Sequence, residues 1–282
     1  MTLQHANMAT WIAAGVAVLL GLAVQHQLGA PVSGLMVQAA GVCLGALLLF
    51  LLGRVPPPRR KSVAAVGLAI LLVVVALPLA TGPELAGARR WVLLGSVSIQ
   101  PSMVLLPVVI WLASVGRPDW SGSLLVLAVG CVLALQFDAA ALTGLTLAWM
   151  ALHARFGLRV GIHVWAVALG LILLTSWAWI RPDALPSVAW VEQVLPNAWS
   201  HGLGTGVMAT VATGLVMAPL FLLARRGERV ALSLAVFYLG LVGAALLGNY
   251  PLPVVGLGAS LVAGWLIAIG LARASNPEPS AP

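Results

Sequence analysis

VAAVGLAILLVVVALPLA, residues 63–80, is eighteen residues without a charge or a strongly polar side chain. As a helix it rises about 27 Å at 1.5 Å per residue, close to the roughly 30 Å hydrocarbon core of a bilayer. Nine comparable apolar runs flank it, at 8–25, 34–53, 101–115, 122–136, 139–154, 161–180, 204–224, 230–248 and 252–272. The fourth to sixth of the ten are short, which predicts tilted, broken or partly re-entrant segments; re-entrant backbone is tolerated only where protein or a wet cavity surrounds it.

The whole chain has the same character. Of 282 residues, 61% are hydrophobic and 7% charged, against about 25% charged in a soluble domain. A soluble fold would leave much of this apolar surface in water, whereas a bilayer matches it. The expected fold is therefore an all-α polytopic membrane protein of about ten transmembrane helices. Residues 1–274 read as one transmembrane domain and 275–282 as a polar, Pro-rich, disordered cytoplasmic tail. The first run, with no Lys or Arg before it and no clear cleavage site after it, reads as a retained span.

Basic residues set the orientation. With the N-terminus inside and spans alternating, inside loops hold Arg54, Arg59, Arg60, Lys61, Arg117, Arg155, Arg159, Arg225, Arg226, Arg229 and Arg273, which is eleven of the fourteen Lys and Arg. Outside loops hold Arg89, Arg90 and Arg181. This bias puts both termini in the cytoplasm and supports an even span count. The formal charge of +7 is thus topogenic, and a nucleic-acid partner is rejected. Cys43 and Cys131 lie inside apolar runs and read as packing residues.

Soluble-enzyme signatures are missing: there is no phosphate loop, no nucleophile elbow and no zinc cluster. Chemistry concentrates in two outer segments, 81–102 and 181–204. In the first, Gly87-Ala88-Arg89-Arg90-Trp91 is followed by Gly95 and by Ile99-Gln100-Pro101-Ser102. Adjacent outside arginines suit bidentate phosphate binding, and a neighbouring Trp suits a sugar face or the headgroup layer. Headgroup anchoring accounts for the same residues. Asp138, an acid at membrane depth, is expected to face a polar interior in a functional or polar-network role; plain exposure at a helix end is the alternative.

These motifs resemble the SEDS family, the RodA, FtsW and SpoVE membrane glycosyltransferases, which read GxxRW, LG and QPSE at this place. Gln136-Phe137-Asp138 is similar to the family's QPD, and PLPVVGLGAS at 251–260 to its PLPFVSYGGS. Order, span number and orientation agree. The departures are equally specific. Met103 and Leu106 replace the family's Glu and Lys, removing an i,i+3 pair. Phe137, Ala139, Ala140 and Ala141 replace Pro, Leu, Gly and Thr. The long outer loop that carries the family's catalytic Asp in LPExHTDFIF is cut to about two dozen residues. Its best match, Leu195-Pro196-Asn197-Ala198-Trp199-Ser200-His201, sets His201 at that Asp.

The resemblance implies a protein of the bacterial inner membrane in peptidoglycan synthesis, in shape or division. Polymerising an undecaprenyl-type lipid-linked sugar precursor on the periplasmic side needs a base near the acceptor hydroxyl and positive charge on the diphosphate. Arg89, Arg90, Trp91, Gln100 and Asp138 are the substrate-binding candidates. His201, Glu192 and Asp183 are the catalytic candidates, against the plainer alternative of a solvated loop. Residues 188–195 have the apolar period of a short interfacial helix, in which Glu192 would face water. A divalent cation would accompany a diphosphate, with no protein metal ligands identified; partners would be membrane lipid and a single-pass transpeptidase. Two readings stay open, an active glycosyltransferase and a non-catalytic relative that binds precursor or a synthase as regulator. A flippase or transporter is a third class, disfavoured because no internal repeat or central charged span is visible.

Overall fold

The computed structural model describes residues 3–55, 58, 60–115, 119–154, 161–181, 185–225 and 229–275. They form eleven helices and one small hairpin: α1 (Leu3–Gln27), α2 (Val32–Leu52), α3 (Lys61–Thr81), β1 (Val92–Leu94), β2 (Val97–Ile99), α4 (Pro101–Ala113), α5 (Trp120–Leu135), α6 (Ala139–His153), α7 (Ile162–Ile180), α8 (Val194–His201), α9 (Leu203–Ala224), α10 (Arg229–Leu247) and α11 (Ala259–Ala274). Six are long and apolar enough to cross a membrane, and α4, α5, α6 and α11 are shorter apolar helices. The ten apolar runs all appear as helices, and the fold is an all-α polytopic one.

Three of the four shorter apolar helices sit inside the bundle. α4, α6 and α11 are buried along nearly their whole length. α2, α3 and α7 turn rows of exposed Leu, Ile and Val outward, the surface that lipid covers. An enclosed helix needs no full bilayer length, because its ends are met by protein rather than by lipid.

Close approach fixes the centre. A Cβ on Gly41 of α2 would stand 2.7 Å from the Ala259 Cα of α11, and one on Gly45 2.8 Å from the Ala263 Cα. Such small-residue faces let membrane helices pack backbone to backbone. On its other side α11 meets α4, where a Cβ on Gly264 would collide with the Met103 carbonyl oxygen. Trp265 is fully buried and its indole Nε1 donates to Val216 O of α9 at 2.9 Å.

Three outer elements differ from the sequence expectation. Residues 92–99 fold into an antiparallel hairpin pairing Leu94 with Val97. It turns at Gly95-Ser96, where Gly95 has φ +62°, a value that favours glycine at the first turn position of a tight hairpin. The short helix expected over 188–195 lies further on, as α8; it begins just before Pro196, a residue tolerated only in a helix's first turn. The last span begins at Ala259 rather than near 252. Pro251 and Pro253 withhold backbone donors, and Val254 adopts φ +67°, so 251–258 runs as irregular chain.

Candidate functional site

The α5–α6 turn is the pivot of the outer face. α5 ends at Gln136, Phe137 takes a left-handed φ of +56°, and Asp138 starts α6. Phe137 N donates to Ala134 O and Asp138 N to Leu133 O, both at 3.0 Å, the pairing of a Schellman helix end. The carbonyls of Gln136 and Phe137 point onward to one cation. Arg90, only 4% exposed, donates from Nε to Gln136 O at 3.3 Å and from Nη2 to Phe137 O. Its guanidinium also faces the rings of Tyr250 (5.4 Å) and Trp91 (5.9 Å). The loop before β1 is thereby anchored to the turn.

Asp138 is fully buried. Its Oδ1 accepts from Ala141 N at 3.1 Å, an N-cap on α6, while its Oδ2 accepts from Gln100 Nε2 at 2.8 Å and from Ser102 Oγ at 3.3 Å. Gln100 N donates to Ser260 Oγ at 3.0 Å, and Gln136 Nε2 to Val75 O at 2.6 Å. The residues of the GARRW, IQPS and QFD motifs therefore form one lattice joining α3, α4, α5, α6 and α11. Met103 and Leu106 are buried apolar residues of α4.

A second lattice holds the irregular segment before α11. Gln25 of α1, fully buried, donates from Nε2 to Val255 O (2.5 Å) and Trp190 O (2.8 Å). Gln38 of α2 donates to Val254 O at 3.0 Å and accepts from Gly258 N at 2.7 Å. Trp190 Nε1 returns to Leu28 O at 3.0 Å, and Leu257 N donates to Trp190 O at 2.8 Å. Both amides pair carbonyls that the two prolines and glycines leave outside any helix. The sequence reading missed Gln25, Gln38 and Tyr250. For the glutamines the available signal was a carboxamide inside an otherwise apolar run.

Trp190 leads directly to Glu192, which is half-buried and whose Oε2 accepts from Val188 N at 2.8 Å. Glu192 also stands in the wall of a cavity of about 610 Å³ between α8, α9 and α10, together with Gln193, Trp199, Thr210, Thr213 and Gly248. Tyr250 connects the two halves of the outer face, since it lies under Arg90 and packs edge-on against Trp179 beside Gly248.

The remaining candidates lie elsewhere. His201 is exposed at the end of α8 and is not among the residues lining the cavity. Asp183 falls outside the described residues. Arg89 is exposed and paired, with Nε and Nη2 on Glu84 Oε2 at 3.0 and 2.7 Å and Nη1 on Leu79 O at 3.2 Å. Trp91 is half-buried beside the hairpin. Among the described residues no group of three His, Cys, Asp or Glu stands close enough to hold a metal ion.

Comparison with known proteins follows the same lines. Residues 1–193 match the model of the FtsW/RodA/SpoVE family of cell cycle proteins. The chain is similar to the rod shape determining protein RodA of Thermus thermophilus, at 23% identity over 94% of each chain with a TM-score of 0.67. An aspartate-to-alanine variant of that protein gives a TM-score of 0.69 at the same identity, over 94% of this chain and 95% of that one. A chain from a structure described as the coordination of polymerization and crosslinking by a peptidoglycan synthase complex matches at 25% identity, over 94% of this chain and 95% of that one, with a TM-score of 0.61. No curated protein sequence matches. The chain belongs to the FtsW/RodA/SpoVE family, as its three motifs led one to expect, and is a multi-pass protein of the bacterial inner membrane.

Proposed function

We propose, with membership of the FtsW/RodA/SpoVE family as premise, that this chain acts in cell-wall synthesis by extending a glycan strand from an undecaprenyl-type lipid-linked sugar on the periplasmic side. The observation that carries this reading is the cavity of about 610 Å³ with Glu192 in its wall. In the inside-out order of the spans, α8 and the ends of α9 and α10 that frame it lie on the outer face. A volume of this size falls in the range of small-molecule sites. Glu192 would take the proton of the acceptor hydroxyl as its oxygen attacks the anomeric carbon, while the diphosphate-lipid leaves with the bonding electrons. The backbone carrying Glu192 is tied through Trp190 to α1 and to 251–258, so the carboxylate is held in place before substrate arrives. The neighbour in a peptidoglycan synthase complex supports a single-pass transpeptidase as the partner.

A second reading, a non-catalytic relative that binds precursor or a synthase as regulator, is favoured by one specific arrangement. Arg90 spends its guanidinium on backbone carbonyls, and among the described residues no cationic side chain lines the cavity of Glu192. A diphosphate leaving group would then meet no arginine of the described residues there.

The test is a polymerisation assay on the full chain with lipid II, with and without a candidate transpeptidase, against Glu192→Gln. Polymer from the parent, lost in Glu192→Gln, supports the enzyme. Absence of polymer under both conditions, with lipid II still bound, selects the regulator.

A further inference from the structure

Three arginines stand on the outer face against the inward bias of basic residues, and two are accounted for by Glu84 and by the α5–α6 turn. The third is Arg181, the C-cap of α7. Its guanidinium carbon lies 4.0 Å from the Trp177 ring centroid and 4.9 Å from that of Phe137. The two rings stand 6.0 Å apart and are stacked at 29°. Arg181 is exposed, and among the described residues it makes no hydrogen bond and meets no carboxylate.

Stacking occupies the flat face of a guanidinium. Its five N–H donors lie in the plane and stay directed at the edge, the geometry that takes two phosphate oxygens at once. The rings also hold the side chain in one place, so less freedom is lost when an anion arrives. Ile180 beside it is 82% exposed and Trp177 37%, which puts the arginine on the lipid-facing rim where the span reaches the headgroups. A soluble anion would have to come to that rim, whereas a lipid phosphate already lies there.

We propose that Arg181, framed by Trp177 and Phe137, binds the phosphate group of an anionic outer-leaflet lipid, one without a headgroup cation of its own to neutralise that phosphate. The site is distinct from Glu192 and is read without any polymerisation assay.

The full chain in detergent would be given phosphatidylglycerol, undecaprenyl diphosphate or phosphatidylcholine, and retained lipid counted by native mass spectrometry. The parent retains one or both of the first two lipids over phosphatidylcholine. Arg181→Ala weakens that retention about tenfold, and Arg181→Lys recovers only part of it. Preference for undecaprenyl diphosphate assigns the site to the isoprenoid lipid, and preference for phosphatidylglycerol to bulk lipid. Phe137→Gly, which suits the left-handed backbone there and so keeps the fold, also weakens retention by removing one ring. Equal retention of phosphatidylcholine and the anionic lipids by the parent, or unchanged binding in Arg181→Ala, overturns the proposal.

Discussion

Gln100 and Asp138, thirty-eight residues apart, meet side chain to side chain at 2.8 Å, with the carboxylate fully buried. The same carboxylate caps α6, so one group closes a helix end and a contact between helices. Asp138→Ala removes the cap and strands the donors of Gln100 and Ser102. The expected cost is about 3 kcal/mol or more, seen as a fall in thermal stability of the detergent-solubilised protein. Asp138→Asn keeps a capping oxygen and loses less. Parental stability in Asp138→Ala would contradict the lattice.

The adjacent arginines separate in the same assay. Arg90→Ala leaves Gln136 O and Phe137 O unpaired in a buried turn, at about 2–4 kcal/mol. Arg90→Lys does not restore it, because an ammonium lacks the fork that spans two carbonyls. Arg89→Ala breaks an exposed pair worth under about 1 kcal/mol. Equal effects of the two alanine variants would be inconsistent with the geometry.

Gln25→Leu removes the donor shared by Trp190 O and Val255 O. Hydrogen exchange is expected to quicken over 188–193 and 250–258, with the rest of the bundle unchanged. Exchange confined to parental rates in both segments would show that the amide holds neither.

Gly264→Ala drives a methyl into the Met103 carbonyl of α4, and both partners are backbone that cannot swing away. Folded protein is expected to drop sharply on size-exclusion chromatography. Gly214→Ala, whose Cβ meets nothing within 4 Å, serves as the matched control and keeps parental yield.

On the inner face Asp119 caps α5 through Gly122 N at 2.9 Å. That backbone hydrogen bond lowers its pKa; burial opposes the effect, and the Ser121 hydroxyl, Lys61 and His163 add to the lowering. A carboxyl lowered in the folded state contributes stability above its unfolded pKa of about 3.9 and loses it as pH falls through the lower folded value. The stability gap between parent and Asp119→Asn should therefore be flat above about pH 5 and close below about pH 4. A gap that persists at low pH would rule out the ionised cap.

The spans were legible because burial in lipid demands long apolar runs, a local property of sequence. Gln100 and Asp138 were singled out as functional candidates from motif and depth. Their partnership was not visible, because it depends on how α4 and α6 come together. Arg90 shows the limit most plainly. Its charge suggested a ligand, but the turn it reaches is forty-six residues away and its carbonyls carry no mark in the sequence. The hairpin at 92–99 was within reach, since Gly95-Ser96 separates two short apolar strands. The start of α8 was misplaced by the apolar spacing of 188–195, which a turn pinned by Trp190 also satisfies.

α11 follows the other helices in the chain, yet the glycine faces of α2 and the backbone of α4 close around it. During synthesis the earlier spans enter the bilayer with their central slot vacant, and lipid or one another must fill it until Ala259 and its successors emerge. A ribosome stalled before that point would release a bundle that has inserted but has no centre. Such a species would be a natural substrate for membrane quality control, so closure of the bundle waits on the emergence of α11.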